Sequence, residues 1–324
     1  MNRSYDFPSQ HAAQFPNIVV VAVNNRCNFS CVHCYYHKYV RTSEYRPHDL
    51  DAEVFERIVS EMGQYPWSVL RLIGWGEPLR HPHLLDFVAL AHQVAPRNPI
   101  TLITNGYDLS SENSLALMES GLDLVEISID AASAGYYEHV RPSHDPNAFS
   151  RVETNVEAMI SQRNAHGFST RVAVSFILWP NQESKVELNQ FRHRWANLAD
   201  EVIVRPLHSF IGTVTSVASY NTSTNRPPCY ALWGRFAINP WGEASVCYND
   251  WSRHDLLGDL HDPQVTIADI WRGPILEQLR RQQCAGRFTG ICEKCQDHNP
   301  GSWEHPYEKV VSRCQVFAKS RDIT

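Results

Sequence analysis

The stretch that decides the fold is IVVVAVNNRCNFSCVHCYY, residues 18–36. It begins with a β-branched apolar run, Ile18–Val23, of the kind that forms a strand buried on both faces. It then turns through two asparagines into Cys27-Asn28-Phe29-Ser30-Cys31-Val32-His33-Cys34, a C-x3-C-x2-C loop. Three thiolates from one loop suit three irons of a [4Fe–4S] cube and leave the fourth without a protein ligand. A structural zinc site wants four ligands and usually pairs C-x2-C units, so this loop suits zinc poorly. Free buried cysteines are the bland alternative.

Outward from this stretch the same grammar repeats. Apolar runs at Val69–Ile73, Ile100–Thr104, Leu122–Asp130, Arg171–Leu178 and Glu201–Arg205 read as further buried strands. Between them lie amphipathic patterns: Val54, Phe55, Ile58, Val59 and Met62; Leu84, Leu85, Val88, Ala91 and Val94; Val152, Val156, Met159 and Ile160; Val186, Leu188, Phe191, Trp195 and Leu198. Shorter helices are expected over Ser111–Ser120 and Ser133–Val140. Strands alternating with helices imply an α/β fold with a parallel sheet and right-handed crossovers. Six strands are too few for a closed eight-stranded barrel, so the expectation is a partial (β/α)6 TIM-like barrel. Chemistry in such folds gathers at the C-terminal strand ends.

Past Pro206 the pattern stops. Residues 209–228 are rich in Ser, Thr and Asn and read as a linker. Arg235–Asn239 and Glu243–Cys247 flank Pro240-Trp241-Gly242, a hairpin signal. Ile267–Gln283 reads as one helix. The expected division is residues 1–208 for the barrel and 209–324 for the linker and a small domain. That domain is too small and Cys-rich to rest on its core alone, so a metal staple makes physical sense.

The chain has 324 residues, nine cysteines, 43% hydrophobic residues and a net charge of −6. A chain this long needs no disulfide staples, and the cysteines are grouped, which points to metal. Negative net charge speaks against nucleic-acid or membrane-surface binding. With no apolar leader and no run of about 20 apolar residues, the expectation is a cytoplasmic protein.

The C-x3-C-x2-C loop followed by Tyr35, placed after the first strand, resembles the signature of the radical S-adenosylmethionine (SAM) superfamily, over residues 17–208. The resemblance implies that SAM chelates the open iron and is cleaved to a 5′-deoxyadenosyl radical. Gly74-Trp75-Gly76-Glu77-Pro78 resembles the family's GGEP motif, with Trp75 as a departure. It implies that Gly76 and Glu77 meet the methionine amino group. Thr104-Asn105-Gly106 resembles the third-strand turn, Ser128-Ile129-Asp130 the ribose-binding segment, and Arg141 an arginine that pairs with the SAM carboxylate. Ser175 adds a hydrogen bond there. CYALWGRFAINPWGEASVC and the later C-x2-C resemble the SPASM module in its shortened twitch form. That implies one auxiliary [4Fe–4S] cluster on Cys229, Cys247, Cys292 and Cys295, hence two clusters in all. A zinc ribbon from the same four cysteines stays open.

Cys284 and Cys314 are left over, as buried thiols or as hydrogen-atom donors to a substrate radical. An auxiliary cluster closed by four thiolates is suited to accept an electron, which favours dehydrogenation. Arg205 and His208, at the mouth of strand six, are the candidate bases. Relatives acting on peptides carry a recognition domain ahead of the barrel, and the first strand here starts at Ile18, so the expected substrate is a small sugar, aminocyclitol or nucleoside intermediate. The expected electron donor is a flavodoxin or ferredoxin. Alternatives are an epimerase using Cys284 or Cys314, a decarboxylase or dehydratase of a sugar nucleoside, a peptide modifier, and a zinc-stapled binding module.

Overall fold

A computed structural model describes residues 6–7, 9–207, 210, 226–293, 295 and 297. Among the described residues there are nine strands: β1 (Ile18–Ala22), β2 (Val69–Ile73), β3 (Ile100–Thr104), β4 (Leu124–Ser128), β5 (Arg171–Leu178), β6 (Glu201–Pro206), β7 (Arg235–Ile238), β8 (Glu243–Ser245) and β9 (Leu256–Asp259). They form one sheet in the order β6-β5-β4-β3-β2-β1-β7-β8-β9. The first six pair in parallel, as their alternation with helices requires. This is a partial (β/α)6 barrel, and the C-terminal part continues its sheet: β7 pairs in parallel with β1, and β8 and β9 follow antiparallel.

The helices are α1 (Gln10–Gln14), α2 (Tyr36–Tyr39), α3 (Ala52–Met62), α4 (Leu84–Val94), α5 (Ser111–Glu119), α6 (Ala134–Val140), α7 (Ala148–His166), α8 (Gln182–Trp195), α9 (Ala231–Gly234), α10 (Ile267–Trp271) and α11 (Pro274–Cys284). Each long helix turns its apolar stripe to the convex face of the sheet. Val54, Phe55, Ile58, Val59 and Met62 of α3 are all buried, in one cluster with Val19, Val21, Leu70, Leu72, Val125 and Ile127. Side chains alternate along a strand, so the other residues line the concave face. Ile18, Val20 and Val69 cluster there with Tyr230 of the C-terminal part.

Two expectations change. The helix expected over Ile267–Gln283 is two helices, because Pro274 opens α11 and Gly273 ends the turn before it; a proline ring cannot continue a helix through an interior position. The short strand β9 went unread. The C-terminal part is bolted to the barrel by charge and backbone. The Glu61 carboxylate of α3 accepts from the Ile267 and Ala268 amides, both at 2.8 Å, capping α10. Arg57 donates to the carbonyls of Leu260, Asp262 and Val265. Among the described residues, no helix is long and apolar enough to cross a membrane.

Candidate active site

The β1–β2 ladder runs on past the strands and zips two loops together. Val23 N–H donates to Ile73 O, Trp75 N–H to Asn24 O at 2.9 Å, and Glu77 N–H to Arg26 O at 2.7 Å. A Cβ on Gly76 would collide with the Arg26 backbone, so only glycine permits this approach beside Cys27. The cysteine loop is held from the other side by Ser30 N–H to Pro142 O and Val32 N–H to Val140 O.

Cys27, Cys31 and Cys34 are free thiols. Burial pushes all three above the ordinary thiol range, Cys34 to about 12, and Cys31 raises both neighbours further. Backbone amides of Phe29 and Tyr36 donate to the sulfurs of Cys27 and Cys34, at 3.4 Å each. Three desolvated thiols whose thiolate forms would repel one another, with amides aimed at two of the sulfurs, fit a cationic cluster, which reverses that penalty by holding them as thiolates.

Glu77 is 2% exposed. Its carboxylate accepts from the Thr104 hydroxyl at 2.6 Å, the Asn105 amide at 2.7 Å and the Leu79 amide at 3.1 Å. Burial nevertheless pushes the carboxyl up to about 7, outweighing these donors. The Asn105 side chain donates to Asn28 Oδ1 at 2.8 Å, so the second- and third-strand loops both meet the cysteine loop.

Asp130 takes a positive φ of 61°, an uncommon conformation for a non-glycine residue. Its carboxylate accepts from Arg141 Nε at 2.7 Å and from the Ile177 amide at 2.7 Å, and lies 3.5 Å from His33 Nε2. Both oxygens are therefore engaged by protein. Asp130 orients Arg141, whose charge reaches Cys31. Nearby, Ser175 Oγ donates to Ser128 Oγ at 3.4 Å. His33 escaped the sequence reading, where it served only as spacing between two cysteines. Burial lowers it to about 4, so its ring is neutral.

Arg205 is corrected. It forms a two-pronged ion pair with Glu126 of β4, one contact at 2.8 Å. Glu126 is held below the ordinary carboxylate range because this pairing outweighs its burial, and Arg205 is held above its own. A guanidinium so fixed is no base. His208 and Cys314 lie outside the described residues. Cys284 is exposed at the end of α11, where Asp6 is the charged group that acts on it among the described residues.

Cys229, Cys247, Cys292 and Cys295 do come together. Burial raises each thiol, Cys292 to about 12 and Cys295 to about 11, and Cys247 feels the other three. Amides of Asn249 and Asp297 donate to the sulfurs of Cys247 and Cys295. Four facing thiols with such donors fit a second iron–sulfur group. Among the described residues, no three His, Cys, Asp or Glu side chains converge on a single-ion site.

Trp75, the departure from the motif, joins the two regions. It is 2% exposed, stacks on Trp251 with centroids 5.0 Å apart, and meets Tyr39 and Trp241 edge-on. Its indole N–H donates to Tyr248 O at 3.0 Å, one residue past Cys247. Tyr35 meets the same Trp251 at 5.7 Å.

Comparison with known proteins places these features. A family described as the radical SAM superfamily matches residues 21–162, and an iron–sulfur cluster-binding family, SPASM, matches residues 229–296. An AdoMet-dependent heme synthase of Methanosarcina barkeri is 27% identical over 144 residues, 44% of this chain and 39% of that protein. GTP 3′,8-cyclase 2 of Mycobacterium bovis is 33% identical over 125 residues, 37% of this chain and 33% of that protein. The chain thus spans less than half the length of these relatives. The crystal structure of BtrN in complex with AdoMet and 2-DOIA superposes with a TM-score of 0.58 at 16% identity, covering 86% of this chain and 92% of BtrN. That of anSMEcpe with bound AdoMet superposes at 0.63 and 14% identity, covering 94% and 95%. At such identities the superpositions speak for the fold.

Proposed function

The chain carries a radical SAM domain followed by a SPASM iron–sulfur module, and on that premise we propose that it is a dehydrogenase of a small hydroxylated metabolite. When bound, the first cluster and SAM supply a 5′-deoxyadenosyl radical able to take a hydrogen atom from carbon. Cys27, Cys31 and Cys34 would hold that cluster. Glu77, set between Thr104 and Asn105, offers a buried carboxylate to the methionine ammonium, with Gly76 keeping the loops in contact. Arg141, oriented by Asp130, offers its guanidinium to the carboxylate. Ser128 and Ser175 present hydroxyls to the sugar, and Tyr35 packs the loop against Trp251.

The observation that carries the dehydrogenase reading is the second, closed set of thiols at Cys229, Cys247, Cys292 and Cys295. Four protein ligands leave no position for substrate, so beyond stapling the module that centre is suited to electron transfer. Turning a carbinol into a ketone releases one hydrogen atom, one proton and one electron. The four-thiol centre suits the electron, and His208 is the candidate for the proton. A flavodoxin or ferredoxin is the proposed reductant. The superposition on BtrN, a dehydrogenase of the butirosin pathway, supports this reading.

A second reading comes from the 33% identity to a GTP 3′,8-cyclase: radical cyclisation of a nucleotide, with no net loss of hydrogen. Product mass separates the two. The anaerobically reduced chain, given SAM and a panel of aminocyclitols, sugars and nucleotides, is expected to yield 5′-deoxyadenosine and a product lighter by two hydrogens. SAM cleavage accompanied only by products of unchanged mass would refute dehydrogenation.

A further inference from the structure

The concave face of the barrel carries more positive charge than its own residues balance. Along the strands, Arg71 of β2 lies on the same face as Val69 and Ile73, opposite the helix-packed Leu70 and Leu72. Glu126 and Arg205 share that face, since Val125, Ile127 and Phe176, paired with Val204, face the helices. Arg171 and Glu201, at the strand starts, match in number. In the middle of the face, one carboxylate, Glu126, stands between two guanidiniums, Arg205 and Arg71. Arg205 takes both carboxylate oxygens. Arg71 makes no hydrogen bond or ion pair among the described residues, and its Nε is fully buried without an acceptor.

The Arg71 Nε is buried without an acceptor while the residue as a whole is half-buried, so the guanidinium is open to a ligand that completes it. A guanidinium matches the oxygens of carboxylate or phosphate in a two-pronged geometry. Arg71 lies three residues before Gly74, deeper in the barrel than the loop that carries Glu77, and Arg141 already stands at the cysteine loop. We propose that Arg71 anchors an anionic group of the substrate, a carboxylate or a phosphate, with Arg205, fixed by Glu126, as the second positive charge. This rests on the reading that the substrate enters the barrel, and it narrows the substrate class: a neutral sugar or a cationic aminocyclitol leaves Arg71 unanswered, whereas an acidic sugar or a phosphorylated nucleoside completes it.

The test uses the full, anaerobically reconstituted chain and follows its thermal midpoint against sodium phosphate and sodium acetate, with sodium chloride at equal ionic strength as reference. One of the two anions is expected to raise the midpoint of the native chain, and which one does so distinguishes phosphate from carboxylate. In R71M and R71Q the anion concentration giving half the rise is expected to increase at least about tenfold, the loss of one charge-assisted contact. R71K keeps part of the response, and the surface control R272M keeps all of it. An equal response in R71M and the native chain, or none in either, overturns the proposal. So does a loss of SAM affinity in R71M without any anion response, which would assign Arg71 to SAM. Failure of the native chain to cleave SAM would instead undo the functional reading and leave the anion response standing.

Discussion

Replacing Trp75 by glycine would bring residues 74–78 closer to the family motif, and the structure argues that the chain would be weaker for it. The indole is 2% exposed, stacked on Trp251 and bordered by Tyr39 and Trp241. Emptying such a site removes about 3–5 kcal/mol in buried contact and cavity energy. The lost aromatic geometry and the bond to Tyr248 O add about 1 kcal/mol each, and a third consecutive glycine adds about 0.5–1 kcal/mol of backbone entropy. These effects overlap, so we expect about 4–5 kcal/mol. With about 2.1 cal/mol/K of unfolding entropy per residue, a chain of this size loses roughly 1.5 °C per kcal/mol, which puts the fall in midpoint at about 7 °C. Anaerobic thermal unfolding of W75G beside W75F measures it. W75F keeps the stacking and loses the indole bond, and should fall by about a third as much. Because Tyr248 and Trp251 follow Cys247 within four residues, W75G should also release iron faster to a chelator. A midpoint within about 2 °C of the native chain, with unchanged iron release, would refute the claim that Trp75 fastens the module.

Alanine at Cys292 is expected to halve the iron content from about eight per chain, two cubes' worth, whereas C284A leaves it unchanged; iron analysis after reconstitution decides, and zinc in place of half the iron would show a ribbon. E61A removes the acceptor for two α10 amides and should cost about 1–2 kcal/mol in a denaturant melt; an unchanged melt would mean that Arg57 alone holds that helix. Burial raises Glu77 from an ordinary 4.5 to about 7. The folded chain therefore holds that proton more tightly than the unfolded one, and this contribution, complete below about pH 4.5, is lost as pH rises through about 7. Melts of the metal-free native chain should fall across that window relative to E77Q; parallel curves would refute the buried, protonated carboxyl.

The six barrel strands were legible because each is a short, mostly apolar run with β-branched residues, the composition of a buried parallel strand. The hairpin was legible from Pro240-Trp241-Gly242, where Gly242 takes φ 71°. That β7 would pair with β1 was not, since a strand's sequence carries no mark of a distant partner. The strand β9, Leu-Leu-Gly-Asp, mixes exposed and half-buried positions and shows no alternation. The partner of Arg205 left a trace: Glu126 is an acid inside an apolar strand, and a buried acid needs a cation. Likewise Pro274 should have divided the last helix. Trp75 was visible only as a departure, because its reason is a packing partner at Trp251, 176 positions later in the numbering. His33 was hidden by the cysteines around it.

The pairing of β7 with β1 also sets how the chain can be cut. An isolated β1 edge would present Ile18–Val21, fully apolar, with a row of unsatisfied amides and carbonyls, the profile of an aggregation seed. A barrel truncated at residue 208 is therefore expected to precipitate rather than persist as a minimal enzyme. The C-terminal module thus shields the first strand of the barrel from other chains.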